Sequence, residues 1–368
     1  MKAARFYDHH DIRIEQVPAP KPDAEHVLVD VVWAGICGTD LHEYLIGPKA
    51  IPTKDNPHLL TGDHLPVTLG HEFCGYVAHV PEAAVDASGA PLRTGQPVMV
   101  DPRLNCRSCY ACHGGDSHLC GKWGFLGLHG AGGGGFSETC AVLPSMCYSL
   151  PEDTPLEHAV LIEPLAVGRH ALVKSGLALD EFKSKSVLVL GGGPVGFAVL
   201  CNLAAIGVQK AFVSEPAKAR QDLVKIYADQ VLDPTKHNVP DECRASTDGR
   251  GVDVVFDCAR IPPAMKDGFD ALRPKGVYVN VAGWEVDFII PMEYLMPKEI
   301  TIRSTLAYDD KDFGDTVKDF IAGKYKGVER MITARISLDD LVQEGFDQLV
   351  AKKDVHSKII ATPKAGQI

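Results

Sequence analysis

Ser186-Val-Leu-Val-Leu-Gly191-Gly192-Gly193-Pro194-Val195-Gly196 is the stretch that decides the fold. A short apolar run enters a glycine turn, and an apolar helical stretch, VGFAVLCNLAAIG at 195–207, leaves it. Gly191, Gly193 and Gly196 fill the three positions of G-x-G-x-x-G, with Pro194 and Val195 between the last two. The first glycine permits the tight turn, the second lets backbone approach a pyrophosphate, and the third allows close helix–strand packing. The helix N-terminus then offers unpaired N–H groups and positive dipole to phosphate. Any tight strand–helix turn can use such a triplet, so the surroundings matter. The next apolar run, KAFVSE at 210–215, ends on Glu215, nineteen residues past Gly196. An acid there meets a ribose 2′-hydroxyl; the alternative is a solvated carboxylate at a strand end. A carboxylate repels a 2′-phosphate, so NAD is expected over NADP.

Outward from this turn the alternation continues. DQVLD (229–233), GVDVVFDC (251–258), GVYVNVAG (276–283) and ITIRSTLAY (300–308) are expected as further short buried strands, with AKARQDLVKIYA (217–228) helical. Strand, helix, strand in this order describes parallel βαβ units of a doubly wound sheet. Before residue 150 the character differs. AARFY, HVLVDVVWAGI, CGYVAHV, QPVMV and ETCAVL are strand-like runs separated by Pro and Gly, a β-rich domain. The pattern turns helical around Pro155–Lys174. After Tyr308 it is mixed again, with an amphipathic segment at Asp312–Ala322 and a strand-like SKIIAT near the end. The class is therefore α/β. The expected domains are 1–158 and 305–368, together β-rich, around a dinucleotide-binding domain at 159–304.

The 368 residues suit two such domains, and 45% hydrophobic with 23% charged residues is ordinary for a globular enzyme. A net charge of −11 leaves no basic footprint for nucleic acid or an anionic membrane. No run of eighteen apolar residues occurs, and MKAARFYDHHDIRIEQV has no apolar core of a signal peptide, so the expected location is cytoplasmic. Eleven cysteines, an odd count, argue against a disulfide framework.

Four of those cysteines, Cys106, Cys109, Cys112 and Cys120, fall within fifteen residues of a lobe at 103–122. Four thiolates at this spacing close a tetrahedral shell around zinc, leaving no position for water, and a closed shell is structural. His113 and His118 lie in the lobe but are not needed. Three separated segments, Gly35–His42, Leu69–Gly75 and Ile162–His170, also carry metal-binding residue types. Taken singly each is weak.

Together, CGTD (37–40), GHEFCG (70–75), the four-cysteine lobe and GGGPVG (191–196) stand in the order seen in the zinc-containing medium-chain dehydrogenases. The chain resembles that family from end to end. CGTDLHEYL, LTGDHLPVTLGHEF and IEPLAVGRHA are most similar to its polyol and 2,3-butanediol dehydrogenase branch. The resemblance implies a GroES-like β domain and a Rossmann domain, two zinc ions per chain, NAD, and a dimer or tetramer. It implies Cys37 and His71 as ligands of a catalytic zinc, with Glu163 where alcohol dehydrogenases proper have cysteine. Glu72 is the neighbouring acid, which either ligates directly or supports the ligands. Thr39 corresponds to the hydroxyl that contacts the alcohol and His42 to the histidine of the proton relay.

The substrate expected is a small secondary alcohol or vicinal diol interconverted with its ketone, 2,3-butanediol and acetoin first among them. Tyr44, Trp123 and Phe125 are expected as apolar walls, or else as ordinary core, and Tyr308 is expected as a further residue of the pocket. In sorbitol dehydrogenases an arginine precedes the tyrosine matching Tyr308; here Ala307 stands there, so that anchor for a long polyol is absent. Sugar-alcohol, threonine and aryl-alcohol dehydrogenation are the competing readings. A zinc-free reductase or a non-catalytic relative would lack Cys37, His71 and Glu163.

Overall fold

The computed structural model describes residues 1–284, 290 and 292–364. The chain forms two units: Met1–Glu163 with Asp309–Ala322 and the segment from Ile332, and Pro164–Tyr308 with Gly323–Met331. Among the described residues no helix is long and apolar enough to cross a membrane.

The second unit is built on six strands in the order Gln230–Leu232, Lys210–Ser214, Ser186–Leu190, Val252–Asp257, Leu272–Asn280, Thr301–Ser304, every neighbouring pair parallel. Ser186–Leu190 is buried along its whole length, as an uninterrupted apolar run must be when both faces of a parallel sheet are covered. The chain leaves it for Lys210–Ser214 on one side and later returns to Val252–Asp257 on the other. The order therefore reverses at the first strand, where α/β sheets bind ligands beyond the strand ends. Leu188, Leu190, Phe212, Val255, Phe269 and Tyr278 form its core, with the Phe269 and Tyr278 rings stacked at 4.4 Å. Thr301–Ser304 departs from expectation. It is exposed at all four residues, because it is the edge of the sheet rather than an interior strand. Helices Val239–Ala245 and Pro262–Ala271 carry proline in their first turn, at Pro240 and at Pro262, where the N–H groups are unpaired in any case.

In the first unit the main sheet runs Cys147–Ser149, Pro97–Val100, Glu72–His79, Val27–Gly35, Lys358–Thr362, Ile332–Ser337, with Thr139–Val142 also pairing Val27–Gly35. A three-stranded sheet joins Asp11–Gln16, Lys2–Asp8 and Val67–Thr68. Two registers matter later: Gly35 lies opposite Glu72, and Ile360 lies opposite Gly35. The chain end thus returns to the strand that precedes the Cys37 turn. The helical stretch expected at Pro155–Lys174 is two helices, Leu156–Ala159 and Ile162–Lys174. The amphipathic segment is the helix Asp310–Ile321, whose start is capped by Asp309 accepting the Asp312 N–H at 2.7 Å.

Candidate functional site

Three places carry the residues that the sequence singles out. In the four-cysteine lobe, a short hairpin (Arg103–Leu104 with Gly124–Phe125) and the helix Tyr110–His113 hold the loop. The four Sγ atoms all lie within 4.8 Å of one another, with Cys109–Cys112 at 3.5 Å and Cys106–Cys112 at 4.0 Å. Zinc–sulfur bonds of about 2.3 Å at tetrahedral angles put sulfurs about 3.8 Å apart, so the lobe has the size of a zinc shell. Backbone donors already face the sulfurs: Cys106 N–H and Lys122 N–H reach Cys120 Sγ at 3.4 and 3.3 Å. The Ser108 N–H and hydroxyl draw the Cys106 thiol down to about 5, so a thiolate is favoured there.

The second place is assembled from distant segments. Cys37 is the N-cap of the helix Gly38–Ile46, and Asp40 at that helix's third position accepts the Cys37 N–H at 2.9 Å. The Gly35–Glu72 register brings this turn beside His71 and Glu72, and the Cys37, His71 and Glu72 ligand atoms lie within 4.8 Å of one another. All three side chains are of zinc-ligand chemistry, and two are buried. His71 Nδ1 lies 3.5 Å from Asp40 Oδ1. Burial opposes a charge on His71, but Asp40 and Cys37 outweigh it and raise the imidazole well above its ordinary value. The surroundings therefore favour a cation at this ring.

Glu163 is buried in the first turn of Ile162–Lys174 but stands outside this trio of ligand atoms. Glu72 is engaged from another side: Lys358 Nζ donates to both its carboxylate oxygens at 2.7 Å and to the Ile36 carbonyl at 3.0 Å. Burial would lower the Lys358 pKa, but Glu72, Cys37 and Glu163 together raise it, so the ammonium stays charged in the interior. Thr39 is exposed with its hydroxyl 3.8 Å from Cys37 Sγ, and half-buried His42 follows on the same helix.

Phe125 lies against this trio, its ring stacked on His71 at 5.3 Å, and Trp123 meets Phe125 edge-on at 5.1 Å. Tyr44 does not join them. Its ring packs against His10 and Phe346 and its hydroxyl donates to Asp347 at 3.0 Å, which makes it core rather than wall. Tyr308 is fully buried. Asp40 and Lys358 carry roles that sequence reading did not assign. Asp40 sits in the CGTD stretch three residues past a helix start, a capping position. Lys358 had one available signal, a lysine opening the mostly apolar strand KIIAT.

The third place is the glycine turn. Gly191 has φ +90°, and a Cβ at Gly196 would run into the Gly191 carbonyl, so both positions need glycine. Gly193 caps the thirteen-residue helix Pro194–Ile206, with Pro194 at its first position and Val195 next. Glu215 is buried, its carboxylate accepting the Gly192 N–H at 2.7 Å and the Ala217 N–H at 2.8 Å. It is not the solvated strand-end carboxylate; it faces the turn. The cradle is that of a dinucleotide site: glycines where backbone must approach, a helix start, and a fixed carboxylate.

Comparison with known proteins agrees in kind. Residues 23–152 match the alcohol dehydrogenase GroES-like domain, and residues 194–322 match the zinc-binding dehydrogenase family. The chain is 39% identical to the (R,R)-butanediol dehydrogenase of Neisseria gonorrhoeae, over 99% of both chains. It is 30% identical to D-xylulose reductase A of Aspergillus oryzae, over 95% of this chain and 94% of the other. The crystal structure of 2R,3R-butanediol dehydrogenase from Bacillus subtilis superposes with a TM-score of 0.89 at 36% identity, covering 99% of each chain.

Proposed function

Because the chain belongs to the zinc-binding, GroES-like alcohol dehydrogenase family, we propose that it oxidises a small vicinal diol to the hydroxyketone with NAD, 2,3-butanediol and acetoin being the pair it handles best. The observation that carries the reading is the trio Cys37, His71 and Glu72, a thiol, an imidazole and a carboxylate brought within 4.8 Å from segments far apart in sequence. Cys37 and His71 would hold the catalytic zinc, with Glu163 or Glu72 as the third protein ligand, and Cys106, Cys109, Cys112 and Cys120 would hold the second. When bound, the catalytic metal supplies Lewis acidity that lowers an alcohol's pKa.

The chain's own residues do the rest. Oxidation removes a hydride from carbon and a proton from oxygen. Thr39, exposed beside Cys37, would take the alcohol proton while giving up its own hydroxyl proton, and His42, three residues along the same helix, would accept a proton from this relay and release it towards solvent. A carboxylate near the metal accepts a hydrogen bond from the second hydroxyl of a diol. Phe125 and Trp123 offer apolar surface to its methyl groups. At the glycine turn, Glu215 would receive the ribose diol of NAD and would disfavour a 2′-phosphate. The catalytic domain would be the unit of Met1–Glu163, Asp309–Ala322 and the segment from Ile332, the cofactor domain the unit of Pro164–Tyr308 with Gly323–Met331, and the working form a cytoplasmic homo-oligomer. The butanediol dehydrogenases among the relatives support the substrate.

The test is kcat/KM with NAD for the 2,3-butanediol stereoisomers, sorbitol, xylitol, threonine and a benzylic alcohol side by side. A butanediol isomer should lead. Sorbitol or threonine ahead by about tenfold, roughly 1.4 kcal/mol of transition-state preference, overturns the substrate and leaves the dehydrogenase standing.

A further inference from the structure

Two histidines outside every ligand set, His58 and His129, are built around the aromatic wall that faces His71. His129 grips the Phe125 backbone at both polar groups. Its ring Nδ1 accepts the Phe125 N–H at 3.0 Å, and its own N–H donates to the Phe125 carbonyl at 2.8 Å. His58 grips the residue two before: its Nε2 meets the Trp123 carbonyl at 3.1 Å. The two imidazoles lie 4.9 Å apart, and Gly124 is wedged between the residues they hold. A Cβ on Gly124 would stand 2.9 Å from His129 Cβ and Cγ and 2.9 Å from His58 Cε1, so only glycine passes there.

The segment carrying His58 is latched to the same turn twice more. Thr61 donates its hydroxyl to the His129 carbonyl at 2.9 Å, and Asp63 accepts the Ala131 N–H at 2.7 Å. Trp123 also packs on His129, with centroids 5.9 Å apart. The result is a continuous chain of ring contacts from His58 through His129 and Trp123 to Phe125 and His71.

We infer that His129, seconded by His58, is a positioning residue for substrate specificity: it fixes the Trp123–Phe125 wall at one distance from His71 and so sets the width of the alcohol site. The inference rests on the dehydrogenase reading above. The bond to Phe125 needs a ring nitrogen without a proton. Burial and the nearby His58 hold His129 down to about 4, so the acceptor persists across the neutral range. Leucine at 129 fills the space but leaves the Phe125 N–H buried without a partner, which the backbone relieves by moving. Asparagine offers its amide oxygen near the place of Nδ1 and keeps the bond.

The experiment compares wild type, H129L, H129N and W123A as purified holoenzymes, with (R,R)-2,3-butanediol and with the bulkier 1-phenylethanol, following NAD reduction. H129L should raise KM for the diol roughly tenfold with kcat changed less than about twofold, and should shift the kcat/KM ratio towards 1-phenylethanol by about tenfold or more. H129N should restore the wild-type ratio. W123A shifts the ratio in the same direction and carries the test if H129L does not fold. A ratio unmoved in H129L and W123A, or H129N behaving as H129L does, overturns the inference. A wild type inactive on both alcohols instead overturns the dehydrogenase reading, so the two failures are distinct. Tryptophan emission, with the Trp33 and Trp284 contribution taken from W123A and subtracted, adds a readout independent of turnover, with a red shift expected for H129L but not for H129N.

Discussion

The four-cysteine lobe and the Cys37–His71–Glu72 cluster both gather metal-binding side chains, yet they are made in opposite ways. The lobe takes its four sulfurs from fifteen consecutive residues, three of them half-exposed, with backbone N–H groups turned towards the sulfurs. Four sulfurs around one point leave no position for water, an arrangement suited to a structural role. The other cluster draws on a helix start, the beginning of a strand and, through Lys358, the chain's last strand. Strand register, not sequence proximity, brings it together. Local spacing suffices for a structural clamp, whereas a site for chemistry is held by the rigid elements of a whole unit.

This contrast can be broken at several points. The largest effect belongs to His71→Ala. It should lower kcat/KM by about 10⁴, near 5.5 kcal/mol of transition-state stabilisation, with the melting temperature and NAD binding little changed. An active His71→Ala enzyme would erase the distinction. Next is Lys358→Met, which strands the buried Glu72 carboxylate. Removing one partner of a buried pair costs about 3–5 kcal/mol, to be read from urea denaturation. A loss near zero would mean that Lys358 does not tie Glu72 to the strand Lys358–Thr362. Asp40→Asn should weaken zinc at the assembled site about 10–100-fold, measured by competition with a chelator, while the lobe keeps its metal. Smallest is Glu215→Ser, expected to move the NADP-to-NAD ratio of kcat/KM by about tenfold or less, near 1 kcal/mol. Equal use of the two cofactors by the unmutated protein would remove the role given to Glu215.

The same contrast explains what could be read in advance. The parallel sheet and the glycine turn were legible because each rests on neighbours in sequence: an apolar strand, three glycines, an acid at the next strand's end. The exposed edge at Thr301–Ser304 was not, since an apolar run does not say whether a further strand lies beside it. Lys358 was hidden because its partner is 286 residues away and only the pairing of Lys358–Thr362 with Val27–Gly35 brings the two together. Tyr44 looked like a wall from its place in CGTDLHEYL, yet its helix face is turned to Phe346 and Asp347. His129 gave no signal, because its partner is a backbone N–H that every residue has.

We propose that the chain holds two zinc ions with separable duties, and zinc content per chain tests this most directly. Elemental analysis of wild type, His71→Ala and Cys109→Ser, each with activity and melting temperature, should give two, one and one. The single remaining zinc in His71→Ala should leave a stable, inactive protein. In Cys109→Ser it should leave catalytic residues intact in a protein that melts earlier, because structural zinc contributes directly to folding. One zinc per chain in fully active wild type, or loss of both ions from either variant, would contradict the account.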